Sequence, residues 1–210
     1  PKQYLYGQDQ RVITQRQLER LLSNLKSQIP NPNTLNSTVR NSSFGIGHCV
    51  VMIQCVGSRS EEHNYCSRVC CSQAVKNAIR VKELNAKTDV CILYRDMRTY
   101  GFNEDYYQKA RELGVTFLRF DEGEEPQVTT NQGRLEVMVR DQLLGEKLLL
   151  EPDLLVLSTG TVPHPDSREM ARFLKVPLNE DGFFLEAHMK LRPVDFATEG
   201  VFLCGLAHSP

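Results

Sequence analysis

His48-Cys49-Val50-Val51-Met52-Ile53-Gln54-Cys55 is a continuous apolar run of strand length, closed two residues later by Gly57. A strand with no polar alternation is one buried on both faces, which is the habit of parallel sheets. After a loop the period changes. From Ser67 to Leu84, residues Val69, Ala74, Val75, Ala78, Val81 and Leu84 recur on one side of a helix. Asp89-Val-Cys-Ile-Leu-Tyr-Arg95 is a second buried strand, and Glu104 to Leu113 a second helix, stopped by Gly114. Val115-Thr-Phe-Leu-Arg-Phe120 is a third strand. Strand, helix, strand, helix, strand at this spacing is a βαβαβ unit, whose right-handed crossovers give a parallel sheet.

Outward from this centre, Gln127–Thr130, Leu135–Arg140 and Lys147–Leu150 alternate apolar and polar residues, with turn signals at Asn131-Gln-Gly133 and Gly145. They predict an antiparallel meander covering one face of the sheet. Asp153-Leu-Leu-Val-Leu-Ser158 returns as a buried parallel strand ending in Thr159-Gly160. Asp166 to Leu174 is a short helix, and Gly200-Val-Phe-Leu-Cys-Gly205 a last buried strand. A strand followed by Gly205-Leu-Ala-His ordinarily leads into a packing helix, so the chain reads as an excised piece of a longer polypeptide. On the amino-terminal side, Leu18, Leu21, Leu22 and Leu25 fall at helical spacing, with Thr14 and Gln17 as a capping box. Ile29 to Gly47 is rich in Pro, Asn, Ser and Gly and reads as a linker. The expected division is 1–29 as a helical segment of a split domain, 30–47 as linker, 48–158 as the sheet domain, and 159–210 as a return segment.

A chain of 210 residues supports one sizeable core. Its net charge of -1 gives no bulk electrostatic pull toward nucleic acid or anionic lipid. No apolar run approaches the ~20 residues that span a bilayer. Pro1-Lys2-Gln3-Tyr4 shows no signal-peptide pattern. Seven cysteines, an odd and high count, point to a reducing cytoplasm with metal or redox cysteines. Cys49, Cys91 and Cys204 lie singly in apolar runs and read as core residues.

The other four crowd into Cys55-Val-Gly-Ser-Arg-Ser-Glu-Glu-His-Asn-Tyr-Cys66-Ser-Arg-Val-Cys70-Cys71. They lie between the first strand's carboxyl end and the first helix, where ligands bind in open α/β sheets. A nucleotide-binding loop would place a glycine triplet there, but only Gly57 is present, followed by Glu61, Glu62 and His63, which repel phosphate. Thiolates suit the place. Cys66 and Cys70 are four apart, hence on one helical face, and Cys71 flanks them one step round. The helix amino end favours anionic sulfur. Such sets bind zinc or iron–sulfur clusters, and the spacing matches neither the usual zinc pairs nor the ferredoxin runs.

The motif Gln54-Cys-Val-Gly-Ser-Arg59, with Tyr65-Cys-Ser-Arg-Val-Cys-Cys71, Lys76 and Ile92-Leu-Tyr-Arg-Asp-Met-Arg-Thr-Tyr-Gly101, resembles the A subunit of heterodisulfide reductase and its bacterial relatives. Asp153 to Pro163 and Gly200 to Pro210 carry the likeness onward, and Tyr6-Gly7 and Val12 to Leu22 precede it. The resemblance implies a thioredoxin-reductase-like flavoprotein scaffold: a Rossmann-like FAD/NAD(P)-binding-type three-layer α/β domain, with a parallel sheet and antiparallel β-meander. It implies an iron–sulfur flavoprotein oxidoreductase engaged in electron transfer, working with other subunits of a heterodisulfide reductase-like complex and with redox partner proteins. Cys55, Cys66, Cys70 and Cys71 would ligate a [4Fe-4S] cluster, and Lys76 would approach the flavin ring. Thr159, Gly160, Gly205, Leu206 and Ala207 would line FAD. The family's FAD glycine motif and ferredoxin-type cysteine repeats are absent from the sequence, so only half of an FAD site is expected, and the isolated chain is expected to be inactive.

Plainer readings stand beside these. Lys76 alone is a solvated helix residue, and Arg95 and Arg98 are explained by surface ion pairs. Tyr100, Phe102, Tyr106 and Tyr107 are expected to pack, and His63 to lie exposed in its loop. Two rival functions are an NAD(P)H-dependent disulfide reductase using Cys66 and Cys70, and a structural zinc or interaction module. Apolar surface on the last strands is expected to favour self-association.

Overall fold

The run at Cys49–Val56 is strand β2, with Val50, Val51, Met52 and Ile53 fully buried as a two-sided strand requires. The computed structural model describes residues 3–27 and 46–209. The linker expected over 30–47 therefore lies, apart from Ile46 and Gly47, outside the described residues.

In chain order the remaining elements are β1 (Val12–Thr14), α1 (Gln15–Ser27), α2 (Cys70–Leu84), β3 (Asp89–Tyr94), α3 (Glu104–Glu112) and β4 (Thr116–Arg119). Then come β5 (Gln127–Asn131), β6 (Arg134–Arg140), β7 (Lys147–Leu150), β8 (Leu154–Thr159) and α4 (Ser167–Leu174). Five strands form one parallel sheet in the order β1-β8-β2-β3-β4, and β5-β6-β7 form an antiparallel sheet.

The chain divides into two compact units. The larger holds residues 1–56 and 69–159 and has three layers. On one face of the parallel sheet, Val50, Met52, Ile92 and Val156 pack with Leu18 and Leu22 of α1, Ala74, Ala78 and Val81 of α2, and Ala110 of α3. On the other face, Val51, Ile53, Leu93, Leu155 and Leu157 meet Leu135, Val137 and Val139 of the meander. The period-two alternation of β6 therefore supplies the third layer, as its sequence predicts. The fold is the Rossmann-like three-layer α/β arrangement. The capping box forms as read: Thr14 N–H donates to Gln17 Oε1 at 2.7 Å and Gln17 N–H to Thr14 Oγ1 at 3.3 Å. Asp153 pins the start of β2, its Oδ2 accepting from His48 N–H at 2.6 Å and Cys49 N–H at 3.0 Å.

The smaller unit joins residues 57–68 to 160–210. Its core is Ala171, Val176, Phe196 and Leu203, with Phe184 edge-on to Phe196. Four expectations are corrected here and in the larger unit. Cys204, read as a core residue, is exposed. Gly200–Gly205 is not a buried strand: its one bridge pairs Phe202 with Asp195, and Phe202 and Cys204 are exposed. Leu203 turns inward and Val201 packs beside it, but among the described residues the smaller unit offers no neighbouring strand with which a ladder could form. Tyr100, Phe102 and Tyr106 are exposed rather than packed, since the 3₁₀ turn at Gly101–Asn103 buries nothing and α3 buries Ala110 alone; of the four, Tyr107 stacks edge-on against Phe117. The helix expected from Ser67 begins at Cys70, because Arg68 is held at a φ of +52°.

Candidate functional site

At the carboxyl end of β2 the ladder with β8 breaks register. Ile53 faces Leu157 and Val56 faces Thr159, so Gln54 and Cys55 together stand opposite Ser158. This is a bulge, a device that re-aims a side chain at a strand end. Cys55 takes up the irregularity with a φ of +61°, a left-handed conformation unfavourable for any residue with a Cβ. Gln54 and Ser158, each about 1 % exposed, bring buried polar groups to the same break. Gln54 Oε1 and Nε2 and Ser158 Oγ have no hydrogen-bond partner among the described residues.

Two further thiols of the larger unit sit in the first turn of α2. Cys70 and Cys71 are both buried, and Cys71 Sγ lies 3.7 Å from the carbonyl of Asp96, just past β3. No side chain caps this helix and its first turn holds no acidic residue, so its amino end keeps its positive character. Lys76, one turn further on, pairs with Glu19 of α1 at 2.7 Å. The Lys76 ammonium holds the Glu19 carboxyl below the usual carboxylate range. Arg95 pairs with Glu122 at 2.7 Å, the ion-pair reading of that residue.

Cys66 belongs to the smaller unit, and since α2 starts at Cys70 it does not share a helical face with Cys70. Its loop is tied down locally. Ser67 Oγ accepts from Thr161 N–H at 2.8 Å, Tyr65 O–H donates to the Thr161 carbonyl at 3.0 Å, and Tyr65 lies edge-on to Phe183 and His63. Arg68 N–H donates to Cys66 Sγ at 3.3 Å. Gly160 meets the same loop so closely that a Cβ there would lie 2.7 Å from the Gly57 carbonyl oxygen. Gly205, Leu206 and Ala207 form a single 3₁₀ turn, with Gly205 at a φ of +62° and the Ala207 carbonyl accepting from Phe184 N–H at 2.9 Å. Thr159 ends β8 opposite Val56.

Among the described residues, no three His, Cys, Asp or Glu side chains converge on a point that could hold a metal ion. The donor chemistry nonetheless suits a soft metal or sulfide centre. Thiols stand on the strand end and the helix start, and residues with unpartnered buried polar atoms sit at the register break. The remaining cysteines differ. Burial, then the neighbouring Cys49, pushes the Cys91 thiol up to about 12, and burial with Asp153 and Asp89 raises Cys49. The sequence reading missed Gln54 and Ser158. A lone amide inside an apolar run, directly before a cysteine, was the available signal.

The chain is 38 % identical to the A subunit of the ferredoxin:CoB-CoM heterodisulfide reductase of Methanosarcina acetivorans, over 99 % of the chain and 29 % of that protein. It is 41 % identical to the iron–sulfur A subunit of the CoB–CoM heterodisulfide reductase of Methanocaldococcus jannaschii, over 100 % of the chain and 31 % of that protein. The resemblance to the heterodisulfide reductase A subunit holds along the whole chain. The chain spans about a third of the length of these relatives. No family model matches it. Among solved structures, the thioredoxin reductase of T. acidophilum aligns with 77 % of the chain and 44 % of its own, at 21 % identity and a TM-score of 0.45. Among the described residues, no helix is long and apolar enough to cross a membrane.

Proposed function

We propose that this chain is the electron-transfer portion of an iron–sulfur flavoprotein oxidoreductase akin to the heterodisulfide reductase A subunit, and that Cys55, Cys66, Cys70 and Cys71 hold its cluster. The observation that carries this reading is the pairing of thiol donors with the mouth of the parallel sheet. Cys55 is thrown into a strained bulge at the end of β2, and Cys70 and Cys71 stand in the uncapped first turn of α2. A phosphate-binding protein uses those same positions for glycine and backbone amides.

When bound, a [4Fe-4S] cluster supplies one-electron transfer and FAD supplies exchange between electron pairs and single electrons. The chain's residues do the rest. The amino end of α2 lowers the free energy of anionic sulfur on Cys70 and Cys71. The Arg68 amide holds the Cys66 sulfur in place by a hydrogen bond. Thr159, Gly160, Gly205, Leu206 and Ala207 would line FAD, and Lys76 would offer it a cation whose partner otherwise is Glu19. The partners of this reading are the other subunits of such a complex and a redox protein, in the cytoplasm.

The test is replacement of single cysteines in anaerobically prepared protein. Cys70→Ala or Cys71→Ala is expected to lose bound iron and its visible absorption while keeping the far-ultraviolet dichroism of the fold. Iron binding unchanged in both variants contradicts the assignment.

A further inference from the structure

We infer that Gln54 and Ser158 are hydrogen-bond donors to the sulfur centre at the β2 bulge, setting its reduction potential rather than its assembly. This rests on the cluster reading above and goes beyond it, since neither residue is a ligand.

The strand register places both residues. Between the pairs Ile53–Leu157 and Val56–Thr159, Gln54 and Cys55 share Ser158 as their counterpart, so all three meet at one irregularity. Side chains alternate along a strand. Val50 and Met52 of β2, and Leu154 and Val156 of β8, pack in the core that contains Ala74 and Ala78 of α2. Gln54 and Ser158 continue those two rows, and so lie on the sheet face that the helices cover, α2 with Cys70 and Cys71 in its first turn among them. Both are almost fully buried, and the whole polar end of Gln54 lacks a partner among the described residues, as does the Ser158 hydroxyl. A buried amide with neither end bonded is unfavourable, and native proteins supply such groups with a partner. Asn77 of α2 is provided for in part: its Nδ2 donates to Gln15 Oε1 at 2.8 Å, and Gln15 Nε2 to Met52 Sδ at 3.3 Å, while Asn77 Oδ1 is buried without a partner among the described residues. The Gln54 amide and Ser158 hydroxyl, by contrast, are matched as donors to anionic sulfur. Donors to cluster sulfur favour the more negative reduced state and raise the potential. The competing occupant is an ordered water bridging the amide and the hydroxyl, which would leave the potential unaffected.

The experiment compares wild type, Gln54→Leu and Ser158→Ala, reconstituted anaerobically with ferrous iron and sulfide. Iron and sulfide are counted per chain, and the cluster is titrated against potential by EPR. Both variants are expected to keep wild-type iron and sulfide. At a fixed potential, Gln54→Leu should lower the reduced-to-oxidised ratio about tenfold, which is about 59 mV for one electron. Ser158→Ala should lower it about threefold in the same direction. Unchanged ratios in both variants overturn the inference in favour of a bridging water. Loss of iron from either correctly folded variant also overturns it, by making that residue necessary for assembly. If Gln54→Leu does not fold, Ser158→Ala alone decides. A wild-type chain that takes up no iron refutes the cluster reading itself, and this inference with it.

Discussion

Replacing Cys55 separates its backbone strain from its proposed role as a ligand. With iron absent and thiols reduced, only the left-handed φ of +61° distinguishes alanine from glycine at this position. A Cβ in that region costs about 1–2 kcal/mol, whereas glycine's extra chain entropy costs about 0.5–1 kcal/mol. Cys55→Gly should therefore be more stable than Cys55→Ala by roughly 0.5–1 kcal/mol. For a chain of this length that is about 1–4 °C in midpoint. Gly57→Ala is the control, because Gly57 has a φ of +72° and open space where a Cβ would stand. It should lose a similar amount. The assay is denaturant unfolding of the metal-free proteins, with equal slopes required for comparison. If Cys55→Ala equals or exceeds Cys55→Gly in stability, the strained bulge is not a feature of the protein in solution.

Other consequences follow from single contacts. Gly160→Ala places a methyl group 2.7 Å from the Gly57 carbonyl oxygen and should destabilise the smaller unit by about 1–3 kcal/mol, read as earlier unfolding or faster proteolysis of residues 160–210. Asp153→Ala leaves the solvent-exposed His48 and Cys49 amides to water in place of their acceptor and should lower stability by about 0.5–1.5 kcal/mol in denaturant titration. The depressed Glu19 carboxyl contributes stability above its ordinary range, which is lost as pH falls through the depressed value. The gap in stability between wild type and Lys76→Ala, about 0.2–1 kcal/mol at neutral pH, should accordingly close in acid. With its thiol raised to about 12, Cys91 should resist alkylation at pH 8 in native protein, while exposed Cys204 reacts at once; mass spectrometry of the labelled peptides gives the answer.

Hydrophobic period alone announces the three-layer frame. The unbroken run in β2 and the alternation of β6 are different signals, and each gives the element it implies. The Thr14–Gln17 box is equally local, and it forms. What periodicity does not contain is backbone conformation at single residues and the identity of distant partners. The bulge at Gln54 and Cys55 depends on a slip against β8, a strand far later in the chain. The membership of Gly57–Arg68 in the smaller unit depends on Tyr65 and Ser67 meeting Thr161. Gly200–Gly205 has strand composition, but a strand needs a neighbour, and a single bridge to Asp195 does not make a ladder. The cysteine set was legible as chemistry. Its placement, with Cys66 in one unit and the other three in the other, was not.

Four sulfurs of this chain holding one iron–sulfur cluster is the claim on which the functional reading stands. Its most direct test is metal and sulfide analysis, with EPR of the dithionite-reduced protein, on chain purified without exposure to oxygen from iron-replete cells. About four iron and four labile sulfide per chain, with a cluster signal, are expected. One zinc per chain, with neither iron nor sulfide, would contradict it.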